Sequence, residues 1–409
     1  MIKYQLVYRA VLSISEDKPG KAAVFISKTR KYIRMFFQRA DIFLLVVCLI
    51  CAVISVIAVR HTTLWLAAAN VRAITPTKMV IVQIFSVFLG IGAFALFTII
   101  DPDIVGEQWR VLGMLILLLL GALVVFGEDD GTGNKSWIRF LGIGIQPSEI
   151  IKILYIIISA KQMTYLKERK DIDSFWSVVQ MAGLFAIVFG AIMVVSSDLG
   201  NAIILLAIFL IMFFALGVKL YWFAIGGAAA AALIPLVWTY ALKDYQKKRL
   251  LAPYNPAVDP DGWGIRWQTT QSRLTLASGR LSGVDAGHRE TVFTGKHTDF
   301  IFSSIGEMWG MIGALIVMLL LVIIIVHCFR CGLKAGRTYD MLLCVGIGAA
   351  IAFQTFINVG MCIGITPVIG IALPFFSYGG SSMVTLLAAM GIISGVKFKP
   401  KPERFIIQY

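Results

Sequence analysis

In this 409-residue chain, Asp299 in His297-Thr298-Asp299-Phe300-Ile301-Phe302 is the residue best placed to do chemistry. It stands where a basic loop meets a long apolar run, so its carboxylate is partly withdrawn from water. Such a group can take a proton from a sugar hydroxyl, or coordinate a divalent cation next to phosphate, with His297 tuning it. A second reading is structural, because a carboxylate at a helix N-terminus complements the helix dipole. The other notable feature is Pro374-Phe375-Phe376-Ser377-Tyr378-Gly379-Gly380-Ser381-Ser382, a polar, glycine-rich run between two long apolar stretches. Irregular backbone is tolerated at membrane depth only where protein buries it or where it lines a cavity, so this run is expected to shape a site.

Polar residues inside apolar runs are costly to bury and suggest function or helix pairing. Here they are Glu149, Lys152, Asp198, Glu307, Gln354 and Asn358. Lys152 lies three residues beyond Glu149 and can neutralise it or a carboxylate from another helix, while Gln354 and Asn358 share a helical face.

These residues need membrane helices to position them. The chain is 58% hydrophobic and 15% charged, with a mean hydropathy of +0.84, which leaves too little polar surface for a soluble fold. Hydropathy predicts ten spans near 41–59, 78–99, 110–126, 147–165, 176–196, 199–217, 219–240, 300–326, 340–361 and 379–396. The fold class is therefore an all-α polytopic membrane protein. Its parts are a basic arm (1–40), spans one to seven (41–240), an outer loop (241–299), spans eight to ten with the 374–382 run as a re-entrant-like loop (300–396), and a tail (397–409).

The arm, the 161–170 and 330–337 loops and the tail are all basic and alternate correctly, which puts them and both termini in the cytoplasm. The arm has no cleavable signal pattern and is read as retained. Within it, Lys28, Arg30, Lys31, Arg34 and Arg39 alternate with Phe25, Ile33, Met35, Phe36 and Phe37, either as an interfacial helix or as a solvated tail. The net charge of +14 is explained by this juxtamembrane charge, and nucleic acid is not an expected partner.

The outer loop carries Lys247, Lys248, Arg249, Arg266, Arg273, Arg280, Arg289 and Lys296. That basic surface suits an anion such as lipid-linked pyrophosphate, with a merely solvated loop as the other reading. The six cysteines imply no disulfide framework. His327, Cys328 and Cys331 would hold zinc only with a further ligand, and the neighbouring sequence offers none.

From the first span onward the chain resembles the SEDS family (shape, elongation, division and sporulation), which includes FtsW and RodA. The resemblance rests on Trp137-Ile138, Gln146-Pro147-Ser148-Glu149 with Lys152, and Asp198-Leu199-Gly200. It continues in His297 to Phe302 with Gly306-Glu307, and in Gln354, Asn358, Gly364, Pro367, Gly370 and Pro374 through Ser381. It implies a SEDS-type, GT-C-like fold and an inverting peptidoglycan glycosyltransferase of the bacterial plasma membrane. The implied reaction polymerises lipid II into β-1,4-linked strands and releases undecaprenyl pyrophosphate. Asp299 matches the family's essential carboxylate, with the implied role of general base.

Trp137, Lys152, His297, Glu149, Ser377, Gly379, Gly380, Arg273 and Arg280 are the expected substrate-binding residues. The resemblance also allows a divalent cation, Mg2+ or Mn2+, shared by pyrophosphate and Asp299, although no dedicated ligand cluster is visible. A class B penicillin-binding protein is the implied partner, touching the outer loop and the eighth or ninth span.

The chain departs from the family in several places. Glu290 to Lys296 replaces a Leu-Pro-Glu run, Ser196-Ser197 stands where Gln-Pro is usual, Ser136 replaces a basic residue, and Met308 replaces a second Glu. These departures suggest a divergent paralogue. A lipid II flippase is the rival reading, and would need a charge-lined path to both leaflets.

Overall fold

The structure is a computed structural model that describes residues 36–38, 40–71, 74–128, 135–140, 143–284, 291–293 and 295–397. Most of the arm, the tail beyond 397, Arg289 and Glu290 lie outside the described residues. In chain order the helices are α1 (Ile42–Ala68), α2 (Pro76–Ile99), α3 (Pro102–Glu107), α4 (Trp109–Phe126), α5 (Pro147–Arg169), α6 (Phe175–Ser196) and α7 (Leu199–Leu216). They continue as α8 (Leu220–Leu236), α9 (Asp244–Leu251), α10 (Trp267–Ser278), α11 (Ile301–Lys334), α12 (Thr338–Ile363) and α13 (Gly380–Lys397).

Nine helices among the described residues are long and apolar enough to cross a membrane. The tenth expected span is α5, a 23-residue helix that carries more charge than such a span normally holds. It is nevertheless buried through most of its length, because Lys152 Nζ meets Glu149 Oε1 at 2.7 Å one turn away and the two charges cancel. Helix α12 forms the centre of the bundle, packed against α5, α7 and α11, and α13 lies along α2. In contrast α8 has no buried residue; it meets the bundle through its first turn, where the Phe223 ring lies 5.2 Å from that of Phe213, and runs into a π-helical turn, Val237–Ala241, after Pro235.

Two features were not expected from sequence. The first is a small antiparallel sheet, β1 (Gly127–Glu128), β2 (Trp137–Phe140) and β3 (Ile143–Ile145), between α4 and α5. The second is a break in the eighth span. Gly310 has φ 65° and ψ −163°, and the segment at 280–284 enters the gap, where Arg280 O accepts from Met311 N at 2.9 Å and Val284 N donates to Glu307 O at 2.9 Å. The outer loop thus supplies hydrogen bonds that the helix gives up.

Only glycine adopts that backbone readily, and a Cβ at Gly310 would collide with the Leu281 carbonyl. Gly310→Ala is expected to cost at least about 1–3 kcal/mol and to lower the thermal midpoint in detergent. An unchanged midpoint would show that the break relaxes freely.

At the opposite end of the bundle, Asp41 caps α1 and its Oδ2 lies 2.6 Å from His327 Nε2 and 2.8 Å from Lys397 Nζ. Asp41, His327 and Cys331 cluster closely enough to share an ion, so Asp41 from a distant segment, and not Cys328, is the third potential ligand. Lys397 already sits on that carboxylate, and the group reads as a charge clamp joining α1, α11 and α13. All six thiols are free and buried.

Candidate active site

A cavity of about 470 Å3 opens beside Asp299. Its wall includes Trp137 and Arg139 from β2, Lys78 from the first turn of α2, the turn His297, Thr298 and Asp299, and Tyr378, Gly379 and Gly380 at the start of α13. Alternation along β2 puts Trp137 and Arg139 on one face, with Ile138 on the other. Across the ladder, Gly144 pairs with Arg139, and a Cβ there would meet the Trp137 ring at 3.1 Å. The absence of a side chain at Gly144 leaves room for the indole.

The turn carrying Asp299 is held from several directions. Asn358 Nδ2 donates to Asp299 O and to Ile371 O, each at 2.7 Å, tying the turn to the segment after α12. Ser377 Oγ donates to Thr298 O and accepts from Leu373 N, each at 2.7 Å, and Tyr378 N donates to His297 O at 3.1 Å. Ser55 Oγ donates to Phe376 O at 2.9 Å, fastening the 374–382 run to α1. The run is largely buried and hydrogen-bonded, and its Tyr378, Gly379 and Gly380 line the cavity.

Asp299 itself is half-buried, close to Gly370 in the facing segment. Beside it, burial of the His297 ring lowers its pKa to about 4. His297 Nδ1 is buried and has no hydrogen-bond partner among the described residues, which favours the neutral ring. The folded pKa lies below the ordinary value of about 6.5, so the unfolded chain binds more protons in between. The contribution of His297 to stability is therefore complete above about pH 6.5 and lost as pH falls through about 4. His297→Gln is expected to flatten the fall in thermal midpoint between those values, and an identical pH profile would rule the ring out as its source.

The remaining expected site residues lie elsewhere. Glu149 and Lys152 do not line the cavity; they form the buried pair in α5, and Gln354 Nε2 donates to both Glu149 oxygens at 3.2 and 3.3 Å. Ser377 acts through the backbone it ties down. Arg280 is exposed, and its carbonyl fills the helix break. Arg273 lines a separate small pocket.

Lys296, expected on a basic surface, is buried against Glu307 at 2.7 Å, since an unpaired ammonium could not be enclosed there. Asp198 caps α7 and accepts from Asn201 N and Nδ2. Sequence reasoning overlooked Lys78 and Arg139. The two-residue spacing of Arg139 from Trp137 on a strand was the available signal for one of them, whereas Lys78 resembles any charge at the start of a span.

Among the described residues, the only group of three His, Cys, Asp or Glu close enough to hold an ion is the distant Asp41 cluster. At the cavity, Asp299 is the carboxylate among the lining residues, which suits a cation whose other ligands come from phosphate and water.

The model of the cell cycle protein family named for FtsW, RodA and SpoVE matches residues 41–401. The chain belongs to that family. Among FtsW/RodA/SpoVE relatives, the probable peptidoglycan glycosyltransferase FtsW of Geobacter metallireducens is 34% identical over 304 residues, covering 72% of this chain and 79% of that protein. Stage V sporulation protein E of Bacillus subtilis is 33% identical over 320 residues, covering 76% and 84%.

In three dimensions the chain is similar to one in a structure on the coordination of polymerization and crosslinking by a peptidoglycan synthase complex. The TM-score is 0.69 at 25% identity, with 88% of this chain and 97% of that one covered. The rod shape determining protein RodA of Thermus thermophilus shares the fold, with a TM-score of 0.63 at 23% identity over 88% and 96% of the two chains.

Proposed function

We propose that this protein is a peptidoglycan glycosyltransferase that polymerises lipid II at the outer face of the bacterial plasma membrane. One observation carries the reading: a half-buried carboxylate, two cations and two aromatic rings meet in a single cavity. Family membership narrows the chemistry to cell-wall glycosyl transfer.

In this reaction Asp299 accepts the proton of the acceptor sugar hydroxyl, and the freed oxygen attacks the anomeric carbon of the donor from the face opposite its pyrophosphate. The new C–O bond forms as the bond to pyrophosphate breaks, giving an inverted β-1,4 link, and the electron pair leaves with undecaprenyl pyrophosphate. Lys78 and Arg139 stabilise that leaving charge, and the positive N-terminal end of the α13 dipole at Gly380 adds to it. Trp137 and Tyr378 offer flat faces to sugar or lipid. Where Mg2+ or Mn2+ accompanies the pyrophosphate, Asp299 is the lining carboxylate that would hold it, and the cation would neutralise leaving-group charge.

The basic loops support cytoplasmic termini and an outward-facing cavity. A class B penicillin-binding protein is the expected partner, seated on the outer loop and the eighth or ninth span. The flippase reading loses support from the charge pairing, because Glu149 is closed on Lys152 and Glu307 on Lys296, leaving these charges turned toward each other. Liposomes containing the purified protein and its transpeptidase partner distinguish the two. Glycan strands made from lipid II supplied on the cavity side support the polymerase, whereas lipid II translocation without strands would support the flippase.

A further inference from the structure

Three arginines of the outer loop share one small pocket of about 50 Å3, apart from the Asp299 cavity. Arg249 comes from the last turn of α9, Arg266 directly precedes α10, and Arg273 lies within α10. Thr269 and Thr270, in the first turns of α10, complete the wall with Gly364 and Val368.

None of the three guanidiniums has a carboxylate partner in an ion pair among the described residues. Asp259, the nearby acid, instead accepts from the backbone N–H groups of Gly264 and Arg266. Arg249 is steadied by the Tyr245 ring, 5.7 Å from its guanidinium carbon. Like charges gathered in one partly enclosed pocket repel one another, and a bound anion relieves the repulsion. Guanidinium forks and threonine hydroxyls match the tetrahedral oxygens of phosphate, and the pocket has room for one compact group.

We propose that Arg249, Arg266, Arg273 and Thr269 form a second anion site, which takes a phosphate-class oxyanion on the outer side of the protein. The proposal rests on the outward orientation assigned above. The site abuts the segment that backs the catalytic carboxylate. A Cβ at Gly364 would lie 3.1 Å from Thr269 Cγ2 and 3.2 Å from Arg273 Cδ, and six residues on, Gly370 faces Asp299 Oδ2. An anion held here therefore braces the segment from 364 to 373 against α10.

The test uses the full chain in nanodiscs of phosphatidylcholine, titrated with inorganic pyrophosphate. The stacked Trp263 and Trp267 rings, 4.6 Å apart beside Arg266, provide the fluorescence signal. Wild type is expected to bind saturably, and R249Q/R266Q/R273Q to bind about tenfold more weakly or less. R273Q alone alters an exposed side chain and guards against misfolding, and it should also weaken binding. Asp299→Asn should bind like wild type, and because the signal needs no turnover, a failure of the polymerase reading would leave this result standing.

Two arms identify the source of the phosphate. If it is the lipid-linked diphosphate, the triple variant raises KM for lipid II; if it is a lipid headgroup, phosphatidylglycerol in the nanodisc competes with pyrophosphate in wild type only. Equal binding by wild type and the triple variant, or no binding by wild type, would overturn the proposal.

Discussion

Replacing Lys296 with methionine is expected to destabilise the protein by about 3–5 kcal/mol, because it leaves the Glu307 carboxylate buried without its counter-ion. The two side chains are 1% and 2% exposed and 2.7 Å apart, so water cannot substitute for the lost partner. Thr291 closes the network: its carbonyl accepts from Lys296 Nζ at 2.9 Å and its hydroxyl donates to Glu307 at 3.3 Å. Lys296 O also accepts from Ser304 Oγ at 2.8 Å. The next three residues are His297, Thr298 and Asp299, so the pair anchors the turn that carries the site. Glu307→Met should be similarly damaging, and K296M/E307M should recover much of the loss, since removing both charges removes the desolvation penalty. Thermal unfolding of the four proteins in detergent checks this, and strictly additive losses would mean that the two residues do not act as a pair.

Asp299→Ala and Asp299→Asn are both expected to lower lipid II polymerisation by about 10² to 10⁴-fold, the usual contribution of a positioned general base. Asparagine keeps the shape and can still accept a hydrogen bond, but it cannot take up a proton at working pH. Folding should survive in both variants, because the side chain is only half-buried and the Asn358 hydrogen bond goes to the Asp299 backbone carbonyl. Asp299→Glu keeps the base but moves it outward by a methylene, and a displacement of about 1 Å can cost about 100-fold. Its activity should therefore lie between wild type and alanine. Equal losses for Glu and Ala would indicate that position matters as much as proton affinity.

Much of this arrangement was legible in the chain. Hydropathy located the spans, including α5, whose charges are buried only because they lie one helical turn apart. The grouping of Trp137, His297, Asp299, Tyr378 and the glycines was readable as separate polar motifs at span ends, and the fold gathers them. Gln354 ties α12 to α5 as helix pairing would have it, whereas Asn358, on the same face, holds the Asp299 turn and the segment after α12. What could not be read depends on contacts between distant segments. The break at Gly310 exists because residues 280–284 occupy it, and hydropathy cannot register a carbonyl inserted from a loop. Lys296 reads as one more surface cation until Glu307 folds back onto it. Asp41 and His327 meet across 286 positions, so a search for ligands near Cys331 in sequence could not find the aspartate. The sheet that presents Trp137 and Arg139 is too short for strand periodicity to declare itself.

The most direct test is lipid II turnover by wild type and Asp299→Asn in the same membranes with the transpeptidase partner, with lipid II binding measured on each sample. Glycan strands from wild type alone, at equal lipid II binding, are the expected result. Strands of comparable length and yield from Asp299→Asn would contradict the assignment of this carboxylate as the base.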